Sequence, residues 1–425
     1  MVLRKKKHGK HQIIKKKKKI FAGSNLESTR WSGSLRHDLP LTFGVELEVF
    51  LVYDKSSYQR DEFMNKVKNG LAEEIERVHR EVPAERQIWH IPETTLWVAR
   101  EILRREGLDV AGLGYIQPEN SVAYSGWNLV NDTTISCDDP RADTLKYIPE
   151  RFDEQSLAHG AGGGVELISR KLPAPNSDGD GFAHPSLAEV RDYVVALRGR
   201  DTDHIGCLPN ESCGLHVHVG VAARRSPDMS VMFPLGVLQH LCYIILQYET
   251  VISWLFPPSR RAQDHSKVNW LNSNLMGLRK TRHVCDCYTD IFSEDRLYKI
   301  EERIFAPNMT IDRLSDMMSS TPRKDHREGP PQGTRYKFVN FENLSSANRE
   351  DTPSLPMTIE FRQHESTLDS NTVNHWIMFV LSLIRAAEHK AKQSPPPTPT
   401  SSACAPTPSA KARNTRWSPA SSTAK

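Results

Sequence analysis

Several stretches of the chain alternate between apolar and polar residues, the period of a half-buried β-strand. They are residues 41–53 (LTFGVELEVFLVY), 164–169, 214–219, 335–342 and 357–364. Other stretches space their apolar residues three and four apart, which predicts helices over 61–81, 94–106, 185–198, 236–256 and 371–391. Gly107 supplies a stop signal after the second of these. Residues 122–136 (VAYSGWNLVNDTTIS) read as a hairpin turning near Asn131 and Asp132, while 173–184 and 319–334 read as surface loops. Strands and helices do not alternate strictly and no internal repeat is visible. The expected class is therefore α+β, with a mainly antiparallel sheet and helices packed on one face, rather than a doubly wound parallel sheet.

Charge redraws the boundaries of this pattern. The 425 residues carry a formal +4, but the first 19 hold ten Lys/Arg and no acid, and residues 394–425 hold four Lys/Arg and no acid, which leaves −10 for residues 20–393. The Lys-rich block repels itself and cannot pack, and the last 32 residues, with seven Pro, seven Ser and five Thr, cannot bury a core. The expected organisation is a disordered basic arm over 1–35, one acidic folded body over 36–393, and a disordered tail over 394–425. The arm suits nuclear import or a polyanion, and it is the one expected route to nucleic acid. No apolar signal segment follows it. The apolar run 236–256 contains Gln239, His240, Gln247 and Glu249 and ends at Pro257, which favours a buried helix over a membrane span. Seven cysteines without a C-x-x-C pair fit a reducing compartment, the cytoplasm or the nucleus. His283, Cys285 and Cys287 cluster without a visible fourth ligand, so a structural role is expected there instead of zinc.

The candidate chemistry lies on the strands. In residues 44–49 (GVELEV), Val45, Leu47 and Val49 point one way and Glu46 and Glu48 the other, about 7 Å apart on one face. Residues 213–220 (CGLHVHVG) repeat the design with His216 and His218; a cupin-like site would want a carboxylate soon after, and 221–225 offer none. Residues 358–364 (TIEFRQH) place Glu360, Arg362 and His364 opposite Ile359 and Phe361, and Glu166 sits between Val165 and Leu167. If these strands share a sheet, one face gathers four carboxylates, two imidazoles and a guanidinium. Such a face calls for divalent cations, and hard oxygen ligands favour Mg²⁺ or Mn²⁺ over zinc. Arg362 suits an anionic phosphate. The run Gly162-Gly163-Gly164 precedes a strand and lacks a following Gly-Lys-Ser/Thr, so it reads as a flexible lead-in and not as a phosphate loop.

The ordered set FGVELEVFL, GWNLVNDTTI, GVELIS, CGLHVHVG, RYKFVNFENL and TIEFRQHESTLD, spread over roughly residues 41–390, resembles the amidoligases common in fungi. That family belongs to the carboxylate–amine ligases with a glutamine-synthetase-like catalytic fold. The resemblance implies a curved antiparallel sheet and ATP-dependent amide formation through an acyl phosphate, with Mg²⁺ or Mn²⁺, a carboxylate and an amine as partners. By motif, Glu46, Glu48, Glu166, His216 and Glu360 would be metal ligands. His216, His218 and Arg362 would hold nucleotide phosphates. Arg362 would also stabilise the transferred phosphoryl group, and Arg335 would contact phosphate or the carboxylate substrate. The family pattern commonly has Pro where this chain has Arg170, and Gly where it has Ser366. A non-catalytic nucleotide- or protein-binding member of the same fold is the alternative. Substrate choice is expected in the loops 54–60, 173–184 and 319–334.

Overall fold

The computed structural model describes residues 38–54, 62–81, 94–114, 124–135, 160–176, 181–199, 205–224, 226–257, 260, 294–319, 337–346 and 357–393. The Lys-rich arm, the Pro/Ser/Thr-rich tail, Arg335 and the His283, Cys285, Cys287 cluster lie outside the described residues.

The strand β1 (Leu41–Asp54) is the axis of the sheet. Its odd-numbered residues Val45, Leu47, Val49 and Leu51 are fully buried, each stabilising the fold by about 1.5–3 kcal/mol relative to exposure. Two segments in succession fill each flank of β1. On one side β4 (Gly160–Ile168) pairs with residues 46–54, and β5 (Leu172–Pro173) with Thr42 and Phe43. On the other side β6 (Ile205–Leu208) pairs with residues 50–53, and β7 (Gly214–Ala223) with residues 41–47. Beyond β4 come β3 (Asn128–Asn131) and then β2 (Gly112–Leu113), the one parallel pair among the described residues. Beyond β7 come β10 (Ile359–Glu365) and β9 (Val339–Asn340), and β8 (Ser226–Val231) pairs with the end of β7. The sheet is thus open, mostly antiparallel, and runs β2-β3-β4-β1-β7-β10-β9.

Helices cover the apolar face. A Cβ placed on Gly163, which pairs with Leu51, would sit 3.1 Å from Thr95 Oγ1, so α2 (Thr94–Arg105) lies on the side of the odd-numbered residues. Against it pack α1 (Glu62–Glu81) and α3 (Pro185–Arg198). The last helix, α7 (Ser370–Gln393), joins α3 through Asn374 Nδ2, which donates to the Leu187 carbonyl at 3.3 Å, and also packs on α4 (Leu235–Ser253). The shorter α5 (Glu294–Ile304) and α6 (Ile311–Ser319) flank α4. Helix ends follow from local chemistry. The Asp369 carboxylate accepts the Asn371 and Thr372 N–H groups at the start of α7, His184 caps α3, and Gly107 leaves α2 at φ +74°. At the far end of α7, Glu388 accepts the Leu39 N–H at 2.7 Å while Arg385 donates to the Leu39 carbonyl at 2.8 Å, which clamps the start of β1 to the helix layer.

The structure departs from the sequence pattern in three places. Residues 128–135 do not form a hairpin with their own neighbours: β3 pairs with the distant β4, and 132–135 turn over the sheet. The glycines 162–164 lie inside β4 instead of leading into it. A Cβ on Gly164 would strike the Asp132 carbonyl and come 2.7 Å from Ile135 Cβ, so a close approach excludes a side chain there. Of the strand expected over 335–342, the described residues form β9 followed by a single turn, Glu342–Leu344, and residues 335 and 336 lie outside them. The apolar run 236–256 is α4 and its exit, with Glu249 buried, and no helix among the described residues is long and apolar enough to cross a membrane.

Arg170 occupies the break between β4 and β5 and forms a two-pronged pair with Glu189 of α3 at 2.8 and 2.6 Å. Trp127, stacked on Tyr193 at 3.9 Å, donates its indole N–H to the same carboxylate at 2.8 Å. Burial pushes the Glu189 carboxyl up, but Arg170 and Trp127 outweigh it and hold the group below the usual carboxylate range. The stability from this pair is present above the unfolded pKa and is lost as pH falls through the lower folded value. Glu189→Gln is expected to cost at most about 1 kcal/mol near neutral pH, screened because both partners are partly exposed, and less at acid pH. Urea titrations at pH 7 and pH 3 check this; an equal cost at both would refute the ionic contribution.

Candidate active site

Residues opposite each other in an antiparallel pair project to the same face. Glu48 lies opposite Glu166, Glu46 opposite His216, His218 opposite Glu360, and Glu360 opposite Asn340. One row of polar side chains therefore crosses β4, β1, β7, β10 and β9 on the face away from α2. Glu46 stands at its centre. One of its oxygens is 3.1 Å from His216 Nδ1 and the other 2.9 Å from His218 Nε2. His216 Nε2 is 3.4 Å from Glu48 Oε1, and His216 Nδ1 is 3.6 Å from Glu360 Oε1. Glu360 is held by Asn340 Nδ2 at 2.8 Å and by Arg362 Nη1 in a tight ion pair. Of the residues expected at the site, Glu46, Glu48, Glu166, His216, His218, Glu360 and Arg362 are brought together, and Arg335 lies outside the described residues.

His364 is not among them. The register of β10 against β7 shifts between Phe361 and His364, so Arg362 and Gln363 together span the place of His216, and His364 falls opposite Leu215. This β-bulge carries the His364 ring to the helix side, where it meets Phe256 and Trp376, each at 5.4 Å between ring centroids. Strict alternation placed it with Glu360 and Arg362; the extra residue reverses that.

The electrostatics are uneven along the row. Burial raises the Glu46 carboxyl, but the charge of His218 and the hydrogen bond and charge of His216 more than offset it and hold Glu46 well below the usual range. Burial likewise raises Glu360, and Arg362 and His218 bring it down. Burial works against the His218 cation, yet Glu46 and Glu360 push this imidazole up to about 9. At the β4 end the balance is opposite: burial and then the charges of Glu46, Glu48 and Asp132 raise Glu166 well above the usual range. Burial and the nearby charges of Glu46 and Glu166 also push the Tyr124 phenol up to about 12. The row thus has a cation-balanced β10 end and a negative β4 end without a matching cation among the described residues.

Several residues that complete the site were not among the ligands expected from the sequence. Gly214 N–H donates to Glu48 Oε2 at 2.5 Å, and Ser366 donates its hydroxyl to the Glu48 carbonyl while its N–H bonds Cys213 O at 3.0 Å. A Cβ at Gly214 would sit 2.6 Å from His216 Nε2, 2.7 Å from Arg260 Nη2 and 3.2 Å from Glu48 Oε2, so only glycine leaves room. Tyr124, Asp132 and Asn340 flank the row, and Arg260 closes it behind Gly214. Phe50 and Val52 lie on this face too, and with Ile135, Leu208 and Cys213 they form an apolar wall beyond Glu48.

This donor set fits a divalent cation. Ligand atoms of Glu46, His216 and Glu360 lie within 4.8 Å of one another, as do those of Glu48, Glu166 and His216. The two His216 nitrogens face different triads. His218 Nε2 is buried and, although close to Glu46, makes no hydrogen bond of acceptable geometry. Four carboxylates, Glu46, Glu48, Glu166 and Glu360, converging around one imidazole are an arrangement that a divalent cation stabilises.

Residues 265–384 match the family model described as "Putative amidoligase enzyme". The match supports an amidoligase family and, at that level, a ligase-type enzyme. It covers β10 with Glu360 and Arg362, and less than a third of the chain. No curated protein matches the chain.

Glu166→Gln separates the cation-binding role from a merely structural one. Without divalent ions it is expected to raise the melting temperature, since it removes a carboxylate repelled by Glu46 and Glu48. With Mn²⁺ the gain in melting temperature seen for the wild type is expected to shrink, reflecting about tenfold or more weaker binding. Thermal melts with and without Mn²⁺ read both effects, and a variant that loses stability in both conditions contradicts the assignment.

Proposed function

We propose that residues 36–393 form an ATP- and Mg²⁺-dependent carboxylate–amine ligase domain with a glutamine-synthetase-like catalytic fold, flanked by a basic arm and a Pro/Ser/Thr-rich tail. The observation that carries this reading is that the strand matched to the amidoligase family, β10, supplies Glu360 and Arg362 to the same row as Glu46, Glu48, Glu166, His216 and His218. A row with two carboxylate–imidazole triads next to a buried guanidinium has the composition that phosphoryl transfer needs, where catalysis is chiefly positioning and charge neutralisation.

The reaction joins an acid and an amine. A carboxylate oxygen forms a bond to the γ-phosphorus while the bond to the ADP oxygen breaks. The amine nitrogen then bonds the acyl carbon, phosphate leaves, and the nitrogen releases a proton. Mg²⁺, or Mn²⁺, held by Glu46, Glu48, Glu166, His216 and Glu360, would neutralise charge on the phosphates. His216 and His218 would face those phosphates from β7. The Arg362 guanidinium is raised further from deprotonation by Glu360 and Glu48 despite its burial, so it stays charged. Its ion pair with Glu360 fixes the plane of the fork that would hold the transferred phosphoryl oxygens. The negative β4 end would favour an incoming amine as its ammonium. Arg335 remains a candidate contact for phosphate or the acid.

Full-length protein given Mg²⁺, ATP and a mixture of amino acids and amines is expected to release ADP and phosphate in equal amounts. Glu46→Gln and Glu360→Gln are each expected to lower the rate by about a hundredfold or more. Turnover unchanged in both would remove the site assignment. Binding of Mg·ATP without turnover of any mixture would favour the non-catalytic alternative.

A further inference from the structure

Arg260 lies just beyond α4 and belongs to none of the motifs that carry the resemblance. Its side chain is only 3% exposed. The guanidinium has five N–H donors, and one bond is made, from Nη2 to the His364 carbonyl at 2.9 Å. Its Nε is buried and has no partner among the described residues. The bulge in β10 explains the anchor, because the register shift between Phe361 and His364 presents that carbonyl beside the end of β7. Nη2, His216 Nε2 and Glu48 Oε2 then surround the place a Cβ on Gly214 would take, at 2.7, 2.6 and 3.2 Å from it. Glu48 is the nearest opposite charge in the row, yet Arg260 forms no ion pair with it; Glu48 Oε2 is taken by the Gly214 N–H.

A buried guanidinium with unfilled donors is costly unless an acceptor reaches it. Placed beside a carboxylate that it does not pair with, it is arranged to share a ligand with whatever that carboxylate binds. A phosphate oxygen meets this condition, since it can accept from Arg260 and lie against a cation held by Glu48. A carboxylic acid substrate fits less well, because its two oxygens cannot fill the fork and also approach the phosphoryl group.

We propose that Arg260 is a second phosphate-binding guanidinium of the site, beside Gly214 and within reach of the Arg362 charge, and that it takes a polyphosphate oxyanion. The assignment rests on the ligase reading above for the identity of the anion. Arg362 approaches the row from β10, and Arg260 approaches from the segment after α4, so two elements distant in sequence would close on one polyphosphate.

The test uses the full chain and two probes, Mn²⁺ alone and tripolyphosphate in excess Mg²⁺, each followed by calorimetry. Arg260→Gln is expected to weaken tripolyphosphate by about tenfold or more while Mn²⁺ affinity stays within about twofold. Arg260→Lys, which keeps the charge but not the fork, is expected to show a smaller loss and carries the comparison if the Gln variant does not fold. Unchanged tripolyphosphate binding in the folded variants overturns the proposal. So does a parallel loss of Mn²⁺, which would make Arg260 a positioning residue for Glu48. If the wild type binds Mn²⁺ but neither tripolyphosphate nor Mg·ATP, the ligase reading fails and this assignment falls with it. Wild-type binding that the variants match removes Arg260 alone.

Discussion

The strand β1 is hydrogen-bonded along both edges, and each edge is served by two segments with a short break between them. At 169–171 the break carries Ser169, whose hydroxyl accepts the Val45 N–H at 2.8 Å, and Arg170, which reaches α3. At 209–213 the break carries Asn210, whose side chain accepts the Ser212 N–H at 3.0 Å, and ends at Cys213 and Gly214. These junctions hold β4 and β7 in the registers that set Glu48 against Glu166 and Glu46 against His216. A slip of one residue on either side would turn the charged row into the helix layer and the valines outward. The whole site depends on that double register, because no local segment contains more than two of its charged residues.

Register brings like charges together as well as unlike ones, and the strands differ in how they offset them. Around Glu46 and Glu360 the two histidines and Arg362 provide the balance, and both carboxyls are held below their usual range. Around Glu166 the charges of Glu46, Glu48 and Asp132 add to burial, and its carboxyl rises. The fold can afford this imbalance at one end only because the rest of β1, β4 and β7 is an apolar sheet face clamped under α2 and α7. Under the proposed reaction, a phosphate would favour the guanidinium end of this row and a cation its acidic end.

Much of this was legible because a strand reports its two faces directly. Val45, Leu47 and Val49 alternating with Glu46 and Glu48 fixed a buried face and a polar one, and the same rule located His216, His218, Glu166 and Glu360. The rule failed where one residue was added. The bulge in β10 leaves Arg362 on the site face and sends His364 to Trp376, and nothing in the string TIEFRQHE marks an inserted residue. Pairing was also hidden: Asn131 and Asp132 look like a hairpin turn, but the partner of β3 is β4, and the reason is steric, since Gly164 admits the 132–135 turn against the sheet. Arg260 was invisible for another reason. It follows Pro257 outside any periodic segment, and its meaning lies wholly in what it reaches, the carbonyl of His364 and the space beside Gly214.

The two residue changes noted against the family pattern gain physical content in the same way. The Arg170 side chain ties the β4–β5 break to Glu189, so the register of β4 has an ionic support. Ser366 uses its hydroxyl to hold the Glu48 carbonyl and its N–H to hold the Cys213 carbonyl. Both residues act on the supports of the row and not on its charged members. The family match over 265–384 contains Glu360 and Arg362 but none of their carboxylate and imidazole neighbours on β1, β4 and β7. Its chemical meaning therefore comes from upstream strands that the match does not include, joined to it through the pairing of β10 with β7, and it is the supports of that pairing, Gly214 and Ser366, that connect the matched segment to the metal-compatible triads.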